Sequence, residues 1–362
     1  MYSTGSEPLD DAIRALIEQA GGSDQSDLLQ EIVTTAVKLA RDQAERGDLK
    51  IINSALKEMR YAFKVFRPYR RTRKVSVFGS ARIQPHDAAY ELTAQFAAEI
   101  AKREWMIISG AGPGIMQAAI DGAGHENAFG VSIRLPFESA SSLIESDPKL
   151  INFKYFFTRK LMFAKESHAI VMLPGGFGTL DEAFETLTLV QTGKSHMVPF
   201  VLLEPPGSEY WSRFSAFVAE DLEARGLISP EDTGLYSRYD NVDDAVEEVC
   251  GFYRSYHSMR YVGDQLVLRV QHRPSEALLA ELNEQFASIT VGEEGGFRSA
   301  KPLPQEKNEP ELAHLPRIVC RFDRHGFGQL RRAIDLINQH AKQEDATPTD
   351  PTVPPMSTPD LD

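Results

Sequence analysis

Hydrophobic residues recur with two different periods along the chain, and the change between them predicts its organisation. Residues 8–66 carry apolar positions at helical spacing in LDDAIRALIEQA, SDLLQEIVTTAVKLARDQAERG and LKIINSALKEMRYAFKVF. Short polar breaks, GGSDQS and GD, separate these stretches. Apolar positions three and four residues apart are typical of amphipathic helices, so the sequence predicts a helical module over residues 1–72.

Short apolar runs alternate with helical patterns over residues 73–258. The runs read as buried strands and are KVSVFG, WMIISG, AFGVSIRLP, HAIVMLP and VPFVLLE. The helical patterns run through AAYELTAQFAAEIAKR, from Pro113, around 158–167, over 181–191, and near 210–225 and 242–256. Alternation of this kind is typical of a parallel sheet covered on both faces. The sequence therefore predicts an α/β fold, a Rossmann-like doubly wound parallel sheet.

The pattern changes again beyond residue 258. Strand-like QLVLRVQ and PRIVCRF, helical SEALLAELNEQFAS and GQLRRAIDLINQH, and a polar loop between them predict a small α+β appendage over residues 259–343. Its role is left open between structure or oligomerisation and ligand sensing. Prolines crowd the stretch ATPTDPTVPPMSTPDLD, so residues 344–362 are predicted to be a disordered tail.

Glycine clusters stand at the ends of three predicted strands. Gly79 and Ser80 end the first, Gly110 and Gly112 follow the second, and PGGFGT (174–179) follows the fourth. The carboxyl ends of parallel strands meet at one edge of a sheet, where such folds bind ligands. Glycine lets backbone N–H groups approach a ligand, and a helix N-terminus attracts phosphate. We therefore expect these clusters to form a phosphate site.

Two common nucleotide signatures do not fit these glycines. A dinucleotide-binding fold would place an acidic residue at the end of the strand that follows GAGPG, to hold a ribose hydroxyl. That strand ends in SIRLP, with Arg134. No GK[ST] closes any cluster, so a Walker-type ATP site is not predicted either. NAD chemistry and ATP-driven phosphoryl transfer are disfavoured, and we expect no cofactor and no metal.

Two basic residues begin the predicted helix around residues 158–167. The helix dipole disfavours cations at this end, so Arg159 and Lys160 need another reason to be there. A bound phosphate or a nearby carboxylate would supply one. A plain surface pair is the alternative.

Three carboxylates stand at the start of the predicted helix over residues 181–191. Glu182 and Glu185 are three residues apart and share a helix face, and Asp181 pairs with Glu185 at a spacing of four. They either complement the helix dipole or do chemistry beside the phosphate site. The combination with PGGFGT favours the second interpretation.

Composition limits the partners and the setting. The net charge of −13 disfavours binding to DNA or RNA, which needs Lys and Arg to neutralise phosphates. The basic stretch RPYRRTRK (67–74) is the main exception, as a solvated linker or as part of an interface or ligand rim. No apolar run approaches the ~20 residues of a membrane span, and the polar, acidic start shows no secretory signal. Cys250 and Cys320 lack CxxC spacing, so a reducing, cytoplasmic setting fits best.

The stretch PGGFGTLDE (174–182) resembles the PGGxGTxxE signature of the LONELY GUY family of phosphoribohydrolases, long misdescribed as lysine decarboxylases. TRK, with Arg159 located 23 residues before Glu182, matches the second motif of the family. GSAR and GAGPGIMQAA resemble its other two glycine segments. The resemblance covers roughly residues 74–205 and leaves out both ends of the chain.

This resemblance implies a nucleotide-binding Rossmann-like domain, at least dimeric, that hydrolyses the N-glycosidic bond of nucleoside 5′-monophosphates. AMP or an N6-substituted AMP is the expected substrate. Arg159 and Glu182 would be the catalytic pair. The other residues implied in binding the substrate and its phosphate are Lys160, Gly175, Gly176, Phe177, Gly178, Thr179 and, as a weaker match, Thr188.

The chemistry agrees with this assignment. Glycosidic cleavage develops positive charge on the ribose, which a carboxylate beside C1′ stabilises. Glu182 is the candidate, and Arg159 would hold the ribose or phosphate and keep Glu182 ionised. No general acid for the departing base is evident, because His125, His168 and His196 read as structural or exposed. Lysine decarboxylation would need a Schiff-base lysine for pyridoxal phosphate, and nothing in the sequence singles one out.

A non-catalytic nucleotide sensor on the same fold is the alternative, with the appended regions transmitting occupancy. The pair Arg159 and Glu182 favours the enzyme, since a sensor needs the phosphate loop alone. Base preference depends on pocket walls such as Phe177, Met162 and Arg134. Cytokinin activation, purine salvage and nucleotide-pool control therefore stay open.

Overall fold

The computed structural model of the protein describes residues 2–22, 24–133, 147–292, 294–307 and 309–343. Arg134 and the tail over residues 344–362, for which the sequence predicts disorder, lie outside the described residues. The chain divides into two units, residues 1–58 and 59–362. Residues 259–343 thus fall in the same unit as the parallel sheet, and the domain boundaries drawn from the sequence at 72 and 258 stay predictions.

Three helices occupy the N-terminal region, as the apolar spacing predicts: α1 (Glu7–Gln19), α2 (Ser26–Arg41) and α3 (Arg46–Phe66). Proline in the first turn of α1 fits a helix start, because the N–H that proline lacks has no intrahelical acceptor there. In the first unit α1 packs against α2 and buries Ile13 and Ile17. The part of α3 from Met59 onwards belongs to the second unit.

Seven parallel strands form the main sheet of the second unit. They are β1 (Lys74–Phe78), β2 (Met106–Ser109), β3 (Ala128–Ile133), β4 (Leu150–Phe153), β5 (Ala169–Met172), β6 (Phe200–Leu203) and β7 (Ser237–Tyr239). Their order across the sheet is β4-β3-β2-β1-β5-β6-β7. The direction of winding reverses between β1 and β5, so the carboxyl ends of these two strands form the topological switch point.

Helices cover both faces of this sheet, which confirms the predicted α/β fold. They are α4 (Ala88–Lys102), α5 (Ile115–Ala123), α6 (Phe156–Glu166), α7 (Phe177–Gln191), α8 (Tyr210–Phe217) and α9 (Val242–Gly251). Successive side chains of a strand point to opposite faces. In β5, Val171 accordingly packs in the core that includes α4 and α9, and Ile170 packs in the core that includes α6 and α8.

A second, antiparallel sheet follows in the region predicted as an α+β appendage. Its strands are β8 (Tyr256–Val262), β9 (Gln265–Val270), β10 (Arg298–Ala300) and β11 (Arg317–Cys320), in the order β10-β11-β9-β8. The helices α10 (Glu276–Gln285) and α11 (Phe327–Gln343) accompany it. Leu268 of β9 and Ile334 of α11 belong to the same buried cluster as Val75 of β1, so the two sheets share one continuous core.

The strands that the sequence does not predict are β4, β7, β8 and β10. All four are edge strands, two in each sheet. An edge strand pairs on one side and is less enclosed than a central strand, so it need not carry a continuous apolar run. β7 and β10, with no fully buried residue, show this most clearly. No helix in the described ranges is long and apolar enough to cross a membrane.

Candidate active site

A cleft of about 1370 Å³ opens at the carboxyl ends of the strands around the switch point. The predicted site residues that line it are Gly79, Ser80, Gly110, Gly112, Arg159, Gly175, Gly176, Phe177, Gly178, Thr179 and Glu182. Two other predicted site residues, Lys160 and Thr188, are not among its lining residues. The topology thus brings together three glycine loops and two charged side chains that are far apart in sequence.

Backbone hydrogen bonds at Ser80 tie the three loops together. Its N–H donates to the carbonyl of Pro174 (3.1 Å), and its carbonyl accepts from the N–H of Ile115 (3.1 Å). The loop after β2 comes so close that a Cβ on Gly114, whose φ is +69°, would lie 2.4 Å from the Ser80 carbonyl oxygen. Packing within the protein therefore requires glycine at position 114. The non-helical backbone of Gly114 also means that α5 begins at Ile115, two residues after the predicted start at Pro113.

Gly176 and Gly178 are glycines for which packing gives no reason. Apart from their chain neighbours and the backbone of α7 itself, no atom of the described residues lies within 4 Å of where their Cβ atoms would be. The first backbone bonds of α7 run from the N–H groups of Thr179 and Leu180 to the carbonyl of Gly176, both at 3.1 Å. The preceding N–H groups have no intrahelical acceptor. Open space beside such donors suits an anion that approaches the backbone closely.

The helix that follows Gly176 begins earlier than the sequence predicts. α7 starts at Phe177 instead of residue 181, so the turn is confined to residues 174–176 and residues 177–179 form the first helical turn. Glu182 consequently lies in the second turn. Because the helix dipole acts mainly within the first turn, complementing the dipole does not account for this carboxylate.

The carboxyl group of Glu182 is buried, with the residue only 7% exposed. Burial raises its pKa to about 7, and the cations of Arg159 and Lys160 oppose the rise without cancelling it. The expectation that Arg159 keeps Glu182 ionised is therefore corrected, because desolvation outweighs the attraction. Near neutral pH both protonation states of Glu182 are populated, which suits a group that accepts and returns a proton.

The guanidinium of Arg159, in the first turn of α6, is held in a fixed position. Its Nε donates to the carbonyl of Val131 in β3 (2.9 Å), and its Cζ lies 5.3 Å from the centre of the Phe163 ring. A Cβ at Gly110 would lie 2.7 Å from Nη2, so glycine there makes room for the arginine. These contacts keep a positive charge in the cleft within Coulombic reach of Glu182.

Lys160 pairs with two carboxylates of α7, of which Asp181 lines the cleft and Glu185 does not. Its Nζ lies 2.9 Å from Asp181 Oδ2 and 2.5 Å from Glu185 Oε2. The cation at this helix start thus finds carboxylate partners, and it acts on the cleft through the charge it places near Glu182. The structure does not place it against a phosphate site.

Thr188 lies far along α7 from the glycine turn. Its Oγ1 donates to the carbonyl of Phe184 (2.7 Å), within the helix. Eleven residues separate it from the first residue of α7, which corresponds to about 16 Å along a helix axis. Direct contact with a phosphate at the helix N-terminus is incompatible with that distance, so the implied binding role of Thr188 does not fit this structure.

Several residues of the cleft carry little or no sequence signal. Ser132 of β3 and Asn152 of β4 line it, although neither strand end has a glycine motif. Arg82 also lines it, and the GSAR motif is the one signal for it. Tyr210, at the start of α8, lies outside the lining, but its hydroxyl donates to the carbonyl of the lining residue Gly175 (2.6 Å) across 35 residues of sequence.

None of the three histidines considered as general acids is among the lining residues, which are all drawn from the described ranges. These histidines are His125, His168 and His196. His168 is buried, and its Nδ1 accepts a hydrogen bond from the N–H of Lys74 (3.2 Å), which indicates a structural role. Glu182 is the lining residue whose pKa is moved to near neutrality.

Comparison with known proteins points to one family. The model of a family described as “Possible lysine decarboxylase” matches residues 114–249. The cytokinin riboside 5′-monophosphate phosphoribohydrolase of Mycobacterium tuberculosis is 30% identical over 165 residues, which cover 44% of this chain and 85% of that protein. The Arabidopsis thaliana protein of the same name is 30% identical over 154 residues, which cover 41% of this chain and 67% of that protein.

A longer relative matches more of this chain. The pyrimidine/purine nucleotide 5′-monophosphate nucleosidase of Escherichia coli is 26% identical over 235 residues, which cover 56% of this chain and 52% of that protein. This chain therefore spans about half of that relative. The match extends beyond the length shared with the shorter relatives.

Replacing Glu182 by glutamine should stabilise the protein at alkaline pH. The folded-state pKa of about 7 lies above the ordinary value of 4.5, so the folded state holds the proton more tightly and loses stability as the pH rises through 7. Glutamine removes that loss. The free energy of unfolding of Glu182→Gln should exceed that of the wild type by about 2–3 kcal/mol more at pH 8 than at pH 5.

Urea unfolding at both pH values measures this difference. Glu220→Gln, at an exposed position, serves as the control and should show the same offset from the wild type at pH 5 and pH 8. A Glu182→Gln offset that does not change with pH would contradict the burial of an ionisable carboxyl group.

Proposed function

Because the chain belongs to the LONELY GUY family of phosphoribohydrolases, we propose that it hydrolyses the N-glycosidic bond of a nucleoside 5′-monophosphate to the free base and ribose 5-phosphate. AMP or an N6-substituted AMP is the proposed substrate. The names of the relatives support the reaction class. The observation that carries the proposal for this chain is the meeting, in one cleft, of an anion-accepting helix N-terminus with the buried carboxyl group of Glu182.

The substrate's phosphate binds at the start of α7. The open backbone at Gly176 and Gly178 lets the phosphate oxygens reach N–H groups, and the positive end of the helix dipole adds to the attraction. Thr179 in the same turn is 6% exposed and borders the cleft, so its side chain helps to enclose the phosphate. A nucleoside without phosphate would lose all of these interactions.

Glu182 acts on the ribose and on water. As the C1′–N bond lengthens, positive charge develops on the ribose, and the ionised carboxylate stabilises it. The carboxylate then accepts a proton from the water whose oxygen bonds to C1′. A pKa of about 7 allows the same group to return that proton to the departing base, so the reaction balances without a separate general acid.

Arg159 supplies the fixed cation of the site. Its hydrogen bond to the carbonyl of Val131 sets its position, and its positive charge in the cleft attracts the ribose hydroxyls or the phosphate. It also lowers the pKa of Glu182 from the still higher value that burial alone would give. Substrate orientation and the protonation of Glu182 therefore both depend on it.

A second copy of the chain is the proposed protein partner. The α6–α7 apolar face consists of exposed side chains on two helices that Lys160 links by ion pairs: Phe156, Phe157, Leu161, Phe177 and Phe184. Phe177 is 94% exposed at the mouth of the cleft. Exposed aromatic side chains on neighbouring helices favour association, and a homodimer would cover them.

The reducing cytoplasm is the proposed setting. Cys250 and Cys320 are both free, and burial raises the pKa of each thiol, to about 11 and about 12. Such thiols are protonated and inert at neutral pH. Neither cysteine forms a disulfide, so the fold does not depend on an oxidising compartment.

Loss of the Glu182 carboxylate should abolish turnover but not binding. We expect Glu182→Gln to lower kcat for ribose 5-phosphate release by about 100-fold or more, while the nucleotide still binds, because the phosphate contacts remain. Arg159→Ala should lower kcat and raise KM. Release from a panel of nucleoside 5′-monophosphates, with calorimetric binding in parallel, measures both effects and identifies the base.

The control is Glu220→Gln, at an exposed position outside the cleft lining, which should stay within about threefold of the wild type. Wild-type protein that binds nucleotides but releases ribose 5-phosphate from none of them would contradict the enzyme and favour a nucleotide sensor.

The pH profile should report the titration of Glu182. Because the ionised form stabilises the ribose cation, kcat/KM should rise with pH through a midpoint near 7. Lys160→Gln removes a cation that lowers this pKa, so the midpoint should move to higher pH. The second ionisation of the substrate phosphate, with a pKa of about 6, is the same for both proteins and cannot cause that difference.

A profile that is flat from pH 5.5 to 8.5, or a midpoint that Lys160→Gln leaves in place, would count against Glu182 as the titrating group.

Charge on the α6–α7 apolar face should disrupt the homodimer. Phe157→Asp places a carboxylate among exposed aromatic side chains that association would bury, so we expect a monomer. Sedimentation velocity at micromolar concentration measures the change. Leu227→Asp, at a 67% exposed leucine outside this face, should leave the dimer intact. Wild-type protein that sediments as a monomer would refute the proposal.

A further inference from the structure

We propose that Tyr210 is a positioning residue that orients the peptide between Gly175 and Gly176 for phosphate binding; the inference rests on the proposed function. The Tyr210 hydroxyl donates to the carbonyl oxygen of Gly175 at 2.6 Å. Tyr210 does not line the cleft itself, so it acts on a phosphate through the backbone that it holds.

The hydrogen bond fixes a direction. In a trans peptide the C=O of one residue and the N–H of the next point to opposite sides, and no peptide bond among the described residues is cis. With the Gly175 carbonyl turned toward Tyr210, the N–H of Gly176 points away from Tyr210. Gly176 lines the cleft and has open space around it, so this N–H is available to an anion at the start of α7.

A Gly-Gly peptide needs such an anchor more than any other. Neither flanking residue has a Cβ, so rotation of the whole peptide plane meets little steric resistance. A flipped peptide would turn the Gly175 carbonyl oxygen, with its partial negative charge, toward the site where the phosphate binds. The Tyr210 hydroxyl therefore selects the orientation that attracts an anion over the one that repels it.

Tyr210 is itself held by a buried network at the end of β6. The carboxylate of Glu204, 3% exposed, accepts from the Trp211 N–H (3.1 Å) and from the Ser208 hydroxyl (2.6 Å). The indole Nε1–H of Trp211 donates to the Leu203 carbonyl (3.1 Å), and the Tyr210 ring packs edge-on against the indole, with centroids 4.7 Å apart. This network pins the start of α8, so the hydroxyl approaches Gly175 from a fixed direction.

The chain of contacts thus runs from β6 to its neighbour β5. β5 supplies the phosphate turn, and β6 supplies the group that orients it. The segments that follow two adjacent strands thus together determine the orientation of one peptide plane. Backbone N–H groups hold the carbonyls of Pro174 and Gly176, and the Tyr210 hydroxyl holds the carbonyl of Gly175 between them.

Tyr210→Phe tests the inference, because it removes the hydroxyl and keeps the ring. We expect KM for the nucleotide and Kd for ribose 5-phosphate to rise about tenfold, as for the loss of one hydrogen bond to a charged group, with kcat within about threefold. The Kd for the unphosphorylated nucleoside should not change. Tyr239→Phe is the matched control, because its hydroxyl donates to Glu248 (3.1 Å) and the residue does not line the cleft.

A spectroscopic readout separates positioning from general destabilisation. In protein labelled with [15N]glycine, inorganic phosphate should shift the Gly176 amide resonance downfield in the wild type and much less in Tyr210→Phe, while both proteins unfold at similar temperatures. Equal shifts in the two proteins, or equal losses of affinity for nucleoside and nucleotide, would overturn the inference. So would a wild type to which neither inorganic phosphate nor ribose 5-phosphate binds.

Because binding is measured without turnover, these outcomes are independent of the proposed catalysis. A wild type that binds ribose 5-phosphate through the Gly176 amide but hydrolyses no nucleotide would refute the enzyme and leave the role of Tyr210 standing.

Discussion

The burial of one carboxyl group, that of Glu182, is the constraint on which the site depends. Moving its pKa from 4.5 to about 7 means that ionising it costs about 3 kcal/mol more than in water. Arg159 and Lys160 reduce that cost, whereas Asp181 and Glu185 add to it. The balance leaves Glu182 between its two protonation states at neutral pH, a condition that full solvation or a closer ion pair would remove.

The parallel sheet explains why the two charged partners meet. Along the chain α6 precedes β5 and α7 follows it. Both helices pack in the same core, through Met162 and Ala183. Consecutive helices on one face place the first turn of α6 near the second turn of α7. Lys160 confirms the register through its ion pairs with α7. Arg159, its neighbour in sequence, is directed into the cleft, where it bonds to β3.

How well the sequence predicts a strand depends on whether the strand is buried along its whole length. Central strands such as β1 and β5, buried on both faces, are predicted to within two residues at either end, whereas the four edge strands are missed because their one-sided pairing demands no apolar run. The glycine motifs predict the cleft, because their positions at strand ends fix where they meet. The start of α7 is misplaced, since Gly178 reads as part of a turn although the helix accommodates it.

Other features of the site are set by contacts that no local pattern encodes. The pKa of Glu182 depends on how deeply the surrounding elements bury its carboxyl group. Sequence spacing predicts which charged residues lie near Glu182 but not how exposed it is. Tyr210 reaches Gly175 only because β6 lies beside β5 in the sheet. Lys160 and Thr188 lie close to the motifs in sequence, yet neither lines the cleft.

The description of the matched family as possible lysine decarboxylases can be tested against the same geometry. Decarboxylation of an amino acid with pyridoxal phosphate needs a lysine amine at the reacting centre. Among the described residues that line the cleft there is no lysine. Lys160 is bound by two carboxylates beside the cleft, and Lys74 is buried at the first residue of β1, the opposite end of the strand from the cleft. A helix N-terminus suits the phosphate of either chemistry, but the group next to it here is a carboxyl with a pKa of about 7, which can stabilise a developing ribose cation and cannot form a Schiff base.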